Sequence, residues 1–211
     1  MKAIIVSAGT INDTELIKEN ISSDSVVICA DGGLAYCLDC NLTPDYIIGD
    51  FDSAEKNLLA NPLFEKSKII RHSPEKDKSD TELALEIALS LKVPEIIFLG
   101  CTGTRIDHML ANMHLLVKTA QKGVKASIID SNNIISLVND YSDFETGKGD
   151  IFSLLPLSEM VTGIKTTGLK YPLDEGRMEI GRPYGISNEA TQDKVSIKID
   201  SGLLLVIRSK D

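Results

Sequence analysis

Acidic side chains recur directly after apolar runs in the first half of this 211-residue chain. Asp31 follows one such run, Asp50-x-Asp52 follows the next, and Asp80 and Asp107 come after two later runs. Alternate residues of an extended segment point the same way, so Asp50 and Asp52 can face one ligand together. Converging carboxylates repel each other unless a cation lies among them, and Mg²⁺ takes one or two carboxylates together with water and phosphate oxygens. The spacing therefore predicts a magnesium site at Asp50 and Asp52.

Glycines and an arginine near these carboxylates are typical of a phosphate-binding site. The pairs Gly32-Gly33 and Gly100…Gly103 let backbone amides come close to phosphate oxygens. Arg105, at the predicted start of a helix, adds a planar donor group that suits phosphate. Acids for a metal ion, together with glycines and an arginine for phosphate, predict a nucleotide–Mg²⁺ site.

Several of these residues also fit purely structural roles. Asp31 before two glycines suits a turn. Ser79 with Glu82 matches a helix capping box, and Asp107 in the first turn of a helix interacts favourably with the helix dipole. The motif Asp50-x-Asp52 after an apolar strand is the hardest to explain in this way. The prediction of a site therefore depends on the recurrence of acids at matching positions, not on a single residue.

The predicted secondary structure of the chain changes near residue 145. Before it, apolar β-rich runs alternate with stretches of helical periodicity, which predicts an open, mostly parallel, Rossmann-like α/β sheet with helices on both faces. The apolar runs are Ala3–Ala8, Ser25–Ala30, Tyr46–Gly49, Lys68–Arg71, Glu95–Gly100 and Lys125–Asp130. Ligands of such sheets bind at the carboxyl ends of the strands, where the acids lie. We expect this α/β domain to span residues 1–145.

The second part of the chain, residues 146–211, lacks helical periodicity. Val195–Asp200 alternates apolar and polar residues, as a half-buried antiparallel strand does. Leu203–Ile207 is fully apolar, and Asp200-Ser201-Gly202 between the two predicts a hairpin turn. We expect an all-β sandwich here.

Composition and missing motifs exclude several classes of protein. With 31 acidic and 22 basic residues the net charge is −9, which argues against nucleic acid as a partner. No apolar stretch is long enough to cross a membrane, and the opening apolar run is too short for a secretory signal. We therefore expect a cytoplasmic protein with no membrane partner. The chain lacks a P-loop and a G-x-G-x-x-G motif, and Cys37-x-x-Cys40 is better explained by two small apolar residues on one helix face than by a redox pair.

The motifs of the first half resemble those of the thiamine pyrophosphokinases. The matching segments are Ala30-Asp31-Gly32-Gly33, Pro44-Asp45-x-x-x-Gly49-Asp50-Phe51-Asp52-Ser53, Asp77-x-Ser79-Asp80 and Gly100-x-Thr102-Gly103-x-Arg105-x-Asp107-His108, followed by Asn112. Thr166–Leu173 and Ile186–Glu189 in the second half are also similar. The resemblance implies that the β,γ-pyrophosphoryl group of ATP is transferred to the hydroxyl of thiamine, with AMP as the second product. It also implies Mg²⁺ and a homodimer with active sites at the subunit interface.

The resemblance further implies a role for each matching residue. Asp50, Asp52 and Asp80 would be catalytic, and the first two would hold the metal. The residues that would surround the nucleotide are Asp31, Ser79, Gly103, Arg105, Asp107 and His108. The residues that would line the thiamine pocket are Tyr171, Ser187 and Asn188. Two alternatives stay open, which are another Mg²⁺-dependent enzyme that phosphorylates a different small alcohol with ATP, and a nucleotide-sensing module without catalysis.

Overall fold

The structure is a computed structural model that describes residues 1–51, 53–73 and 77–210, without the side chains of residues 53–55. The chain divides into two compact units, Met1–Ser131 and Asn132–Asp211. Within the described residues, no helix is both long and apolar enough to cross a membrane.

The described part of the first unit is a six-stranded parallel sheet with helices between the strands. The strands are β1 (Lys2–Val6), β2 (Ser25–Ala30), β3 (Tyr46–Gly49), β4 (Lys68–Arg71), β5 (Glu95–Leu99) and β6 (Lys125–Ile129). The helices are α1 (Glu15–Asn20), α2 (Gly33–Asp39), α3 (Ser53–Leu59), α4 (Asp80–Ser90) and α5 (Ile106–Gln121), with a 3₁₀ turn at Pro62–Phe64. The α/β class and the six strands predicted from the apolar runs are confirmed.

The order of these strands is β6-β5-β1-β2-β3-β4, so β1 lies between β5 and β2. Ile4 and Val6 of β1 pack in one core with Ile17 of α1 and Leu34 of α2. The alternate residue Ile5 is equally buried, and α4 packs against β1, β2 and β3. Because both faces of the sheet are covered, its strands read in the sequence as almost continuous apolar runs.

The second unit consists of two antiparallel four-stranded sheets in the described residues. The strands are β7 (Asn133–Val138), β8 (Tyr141–Glu145), β9 (Ile151–Pro156), β10 (Met160–Thr167), β11 (Gly176–Glu179), β12 (Asn188–Glu189), β13 (Lys194–Lys198) and β14 (Leu204–Ser209). One sheet has the order β12-β9-β14-β7 and the other β11-β10-β13-β8. Phe152 and Val206 from the first sheet share an apolar core with Val161 and Ile197 from the second. The all-β character predicted for this part is confirmed.

The predicted hairpin at residues 200–202 is wrong. Strand β13 pairs with β8 and β10, whereas β14 pairs with β7 and β9, so the chain crosses from one sheet to the other at this turn. A hydrogen bond stabilises the segment that crosses between the sheets, because the amide of Asp200 donates to the carbonyl of Thr162 at 2.9 Å. The sequence pattern gives the buried face of each strand but not its partner.

The boundary of the second unit lies before the change of pattern near residue 145. Strands β7 and β8 pair antiparallel with β14 and β13, which come late in the chain, and they therefore belong to the second unit.

Candidate active site

A cavity of about 540 Å³ lies at the carboxyl ends of the parallel strands, where the loops after β1 and β5 meet. Its walls are residues 7–10 after β1, residues 100–105 after β5, residues 79–81 at the start of α4, and side chains of α5. The residues predicted from the sequence that line it are Asp31, Ser79, Asp80, Gly103, Arg105 and His108. Strand ends on both sides of β1 therefore meet at one cavity.

The loops after β1 and β5 are joined by backbone hydrogen bonds. The amide of Gly9 donates to the carbonyl of Gly100, and the amide of Thr10 donates to that of Thr102, both at 2.7 Å. A Cβ on Gly9 would lie 2.3 Å from both carbonyl oxygens, so only glycine permits this approach. Tyr36 supports the same loop, because its hydroxyl donates to the Gly9 carbonyl at 2.7 Å. Neither Gly9 nor Tyr36 stood out in the sequence.

The backbone of the loop after β5 is held by hydrogen bonds to neighbouring segments. Its three successive carbonyls, at Gly100, Cys101 and Thr102, accept hydrogen bonds from the Gly9 amide, the Asn112 side chain and the Thr10 amide. Residues 100–105 of this loop line the cavity, so its backbone N–H groups are candidate donors for an anion there.

Arg105 and Asp107 form a two-point ion pair beside this loop. The guanidinium of Arg105 donates to Asp107 through Nη2 at 2.6 Å and through Nε at 3.2 Å. The hydrogen bond from Arg105 lowers the pKa of Asp107 to about 2. Arg105 lines the cavity and Asp107 does not, so the ion pair fixes the orientation of a guanidinium that belongs to the cavity wall.

Ser79, at the start of α4, is both a helix cap and part of the cavity wall. Its hydroxyl accepts a hydrogen bond from the amide of Glu82 at 3.2 Å, which confirms the helix cap. Ser79 and Asp80 also line the cavity, and Asp80 is the first residue of the helix. The next residue, Thr81, contacts Ser7 through their hydroxyl oxygens at 3.0 Å. This contact fixes the start of α4 against the end of β1.

The glycine pair after β2 serves packing. A Cβ on Gly33 would lie 2.3 Å from the carbonyl oxygen of Val6, so the missing side chain lets α2 approach β1. Gly32 and Gly33 do not line the cavity, unlike Gly103, so the prediction that they contact phosphate has no support in this geometry.

Asp50 lies half-buried at the end of β3, and Asp52 lies outside the described residues. The carboxylate of Asp31 comes within 3.2 Å of the place a Cβ on Gly49 would take, so it reaches the residue just before Asp50. Within the described residues, no three His, Cys, Asp or Glu side chains converge as a metal site. Mg²⁺ nevertheless needs only one or two carboxylates from a protein, because water and phosphate oxygens fill its other positions. The magnesium site stays a prediction.

Phe51 and Arg71, beside Asp50, are a contact that the sequence analysis missed. Phe51 is fully buried with φ of +52°, and the Arg71 guanidinium lies 5.2 Å from the centroid of its ring. The only signal in the sequence is an arginine that ends the β4 run. The contact holds the backbone that presents Asp50.

The three residues predicted to bind thiamine are neighbours in the second unit. The Asn188 side chain is buried and bonds both backbone groups of Tyr171, accepting from the amide at 3.0 Å and donating to the carbonyl at 2.8 Å. Ser187 has φ of +55°, and its amide donates to the Ser153 hydroxyl at 3.1 Å. The Tyr171 side chain is 66% exposed. Asn188 thus positions the exposed tyrosine, and direct contact of these residues with thiamine stays a prediction.

Comparison with known proteins gives the same two-part division. Residues 17–128 match the family "Thiamin pyrophosphokinase, catalytic domain", and residues 137–204 match "Thiamin pyrophosphokinase, vitamin B1 binding domain". The chain is 33% identical to thiamine pyrophosphokinase of Bacillus subtilis (strain 168), with 100% of both proteins covered.

Solved structures agree with this match. The fold is similar to that of thiamine pyrophosphokinase from Bacillus subtilis, with a TM-score of 0.89, 27% identity and 100% of both chains covered. It is equally similar to thiamin pyrophosphokinase from Geobacillus thermodenitrificans, with a TM-score of 0.89 and 29% identity, over 100% of this chain and 98% of the other.

Proposed function

We propose that the two units of this chain bind different substrates. The chain belongs to the thiamin pyrophosphokinase family and transfers the pyrophosphoryl group of ATP to the hydroxyl of thiamine. The first unit binds ATP in a Rossmann-like crevice at the carboxyl edge of its sheet, and the second unit binds thiamine. The observation that carries the proposal is the cavity itself, where the loop after β5, Arg105 and the carboxylates of Asp31 and Asp80 meet at the point where the strand order reverses.

The triphosphate of ATP is bound by the loop after β5. Backbone N–H groups of this loop, whose carbonyls are held by hydrogen bonds, would donate to the phosphates, and Arg105 supplies a positive charge held by Asp107. Phosphoryl transfer depends on positioning and charge neutralisation more than on covalent chemistry by the protein. His108 and Gly103 complete the wall on this side.

Three carboxylates act on the reacting groups. Asp50 and Asp52 would hold Mg²⁺, which supplies positive charge to the phosphates when bound. Asp80, which lines the cavity, accepts the proton of the thiamine hydroxyl while the oxygen of that hydroxyl forms a bond to the β-phosphorus of ATP. The bond from that phosphorus to the bridging oxygen breaks, and AMP leaves with this oxygen. Asp31 and Ser79 support these groups from the ends of neighbouring elements.

Thiamine binds in the second unit at Tyr171, Ser187 and Asn188. The exposed ring of Tyr171 suits the cationic thiazolium by cation–π attraction, and the buried Asn188 amide fixes the backbone that carries this ring. The proposal includes a homodimer with active sites at the subunit interface. It places the enzyme in the cytoplasm, where ATP is supplied, in keeping with four unbridged cysteines.

The test is product analysis on the full chain with ATP, Mg²⁺ and thiamine, resolved by chromatography. AMP formed in step with thiamine diphosphate is the expected result. ADP with thiamine monophosphate would contradict pyrophosphoryl transfer, and ATP binding without turnover would favour a nucleotide-sensing module. Asp50→Asn and Asp52→Asn are expected to lower turnover by about 100-fold or more, whereas Asp39→Asn, an exposed carboxylate at the end of α2, is the matched control.

A further inference from the structure

Thr166, near the end of β10, is a buried polar residue that the mechanism above does not use. Only 4% of it is exposed, and it bonds both backbone groups of Leu173. The Thr166 amide donates to the Leu173 carbonyl at 2.9 Å, and the Thr166 hydroxyl oxygen accepts from the Leu173 amide at 2.8 Å. The direction of each bond is fixed, because each donor is a backbone N–H. The two bonds close the base of the segment 168–173, which carries Tyr171.

Tyr171 itself is held in the same way by a second buried side chain. Asn188 bonds the amide and the carbonyl of Tyr171, and the next residue, Pro172, has no N–H and a fixed φ. The Lys170 amide donates to the Glu189 carbonyl at 2.8 Å. Every backbone N–H from residue 170 to residue 173 is therefore hydrogen-bonded within the second unit.

The segment 168–173 thus combines a fixed backbone with an exposed aromatic ring. Leu169 is buried in the core of the second unit and Leu173 packs against that core, whereas the Tyr171 side chain between them is 66% exposed. Fixing a backbone costs conformational entropy, and a segment that is held before a ligand arrives has already lost that entropy. A ring carried by such a segment can bind a planar cation without a further cost of ordering.

We propose that Thr166 is a positioning residue for thiamine, which acts through Leu173 by holding Tyr171 where its ring meets the thiazolium. The inference depends on the proposed function, because it takes Tyr171 as a contact of thiamine. Removal of the Thr166 hydroxyl leaves the Leu173 amide without its acceptor, and the segment loses one of the two side chains that hold it.

The first experiment compares Thr166→Val with Thr166→Ser in the full chain, with KM measured for both substrates. Valine keeps the shape of threonine but lacks the acceptor oxygen, whereas serine keeps that oxygen. We expect the KM for thiamine to rise about fivefold or more in Thr166→Val and to stay within about twofold of wild type in Thr166→Ser. The KM for ATP stays unchanged in both variants. Thr167→Val is the matched control, because this neighbouring side chain is exposed and its hydroxyl contacts that of Ser196.

The division between the two KM values distinguishes positioning from a general loss of structure. A variant that only unfolds more easily contains less active enzyme, which lowers the apparent kcat and leaves both KM values unchanged. Melting temperatures are recorded for every variant, so that a fall in stability is measured separately from the change in KM.

The second experiment tests whether Thr166 acts through Tyr171. Tyr171→Ala removes the ring and is expected to raise the KM for thiamine. In that background Thr166→Val should raise the KM no further, because the side chain that it positions is gone. An equal effect of Thr166→Val in both backgrounds would show that it acts by another route and would overturn the inference.

The third experiment uses the wild-type chain, so it remains available if Thr166→Val does not fold. Hydrogen exchange without thiamine should show the amides of Tyr171 and Leu173 exchanging at least about 100-fold more slowly than in an unfolded chain. Exchange at the unfolded rate would mean that the segment is not held before thiamine binds, and the inference would be wrong.

The kinetic outcomes separate the inference from the function on which it depends. A wild-type KM for thiamine in Thr166→Val, together with a raised KM in Tyr171→Ala, would overturn the inference and leave the thiamine site intact. A wild-type KM for thiamine in Tyr171→Ala would overturn the proposed thiamine site and the inference with it. An equal rise in the KM for ATP and for thiamine in Thr166→Val would also refute a role specific to thiamine.

Discussion

Replacement of Gly9 by alanine tests whether the joined loops after β1 and β5 form the ATP site. The new Cβ would lie 2.3 Å from the carbonyl oxygens of Gly100 and Thr102, and both atoms belong to the backbone. Neither oxygen can swing aside as a flexible side chain would. The two loops must therefore separate by about an ångström to restore van der Waals contact.

The cost of this separation follows from the bonds that it breaks. The amides of Gly9 and Thr10 lose their 2.7 Å hydrogen bonds to the loop after β5. At about 0.5–1.5 kcal/mol each, the two bonds together stabilise the folded unit by about 1–3 kcal/mol. For a unit of this size that corresponds to a fall in melting temperature of roughly 3–10 °C. A displacement of about 1 Å in a positioning loop lowers kcat/KM for ATP by about 100-fold.

The assay combines thermal unfolding by circular dichroism with AMP release at varied ATP concentration. Gly147→Ala is the control, because its Cβ would meet nothing closer than the Asp150 carboxylate at 3.7 Å. We expect that control to match wild type in both measurements. A Gly9→Ala variant with wild-type melting temperature and wild-type kcat/KM would refute the account of the joined loops.

Three further predictions concern single side chains. Asn188→Ala loses the bonds to Tyr171 and should destabilise the second unit by about 1–3 kcal/mol in urea unfolding, while unchanged stability would contradict its positioning role. The lowered pKa of Asp107 means that its stabilisation is present above the usual carboxyl range and is lost only as the pH falls toward about 2. An NMR titration should show this, and Arg105→Gln should move the pKa back up; a wild-type midpoint in the ordinary range would count against the ion pair. Because burial raises the pKa of Cys101 to about 12, this thiol should resist iodoacetamide at a pH of about 8 in the native protein and react once the protein is unfolded in urea. Labelling is read by mass spectrometry of the peptide that carries Cys101, because Cys40 is only partly buried; rapid native labelling of Cys101 would contradict its burial.

The sequence was informative wherever a local pattern has one structural meaning. Strands covered on both faces read as continuous apolar runs, so β2 and β3 could be located from composition alone. The polar residues that follow such strands must lie at the carboxyl edge of a parallel sheet. Asp31 after β2, Asp80 after β4 and Arg105 after β5 accordingly line one cavity. The topology of the parallel sheet therefore explains why residues far apart in the sequence lie at one site.

The remaining features depend on contacts between distant segments. The carbonyls of Gly100 and Thr102 leave no room for a side chain at Gly9, and no pattern in the neighbouring sequence predicts this contact. Asn188 looks like a ligand-binding amide until its bonds to Tyr171 are seen. The turn after β13 resembles a hairpin, because alternation reports the buried face of a strand but not which sheet it joins.

The central position of β1 has a consequence for how the protein is made. Val6 pairs with Leu99, and the whole of β2, β3 and β4 lies between them in the chain. Closing so long a loop costs entropy that is recovered only when the pairing is complete, so we expect this contact to form late in folding. On the ribosome, the wall of the cavity cannot assemble until the segment through Asn112 has emerged. Nucleotide binding is therefore expected only after this segment has emerged, and ATP can serve as a reporter of the folding of the cavity wall.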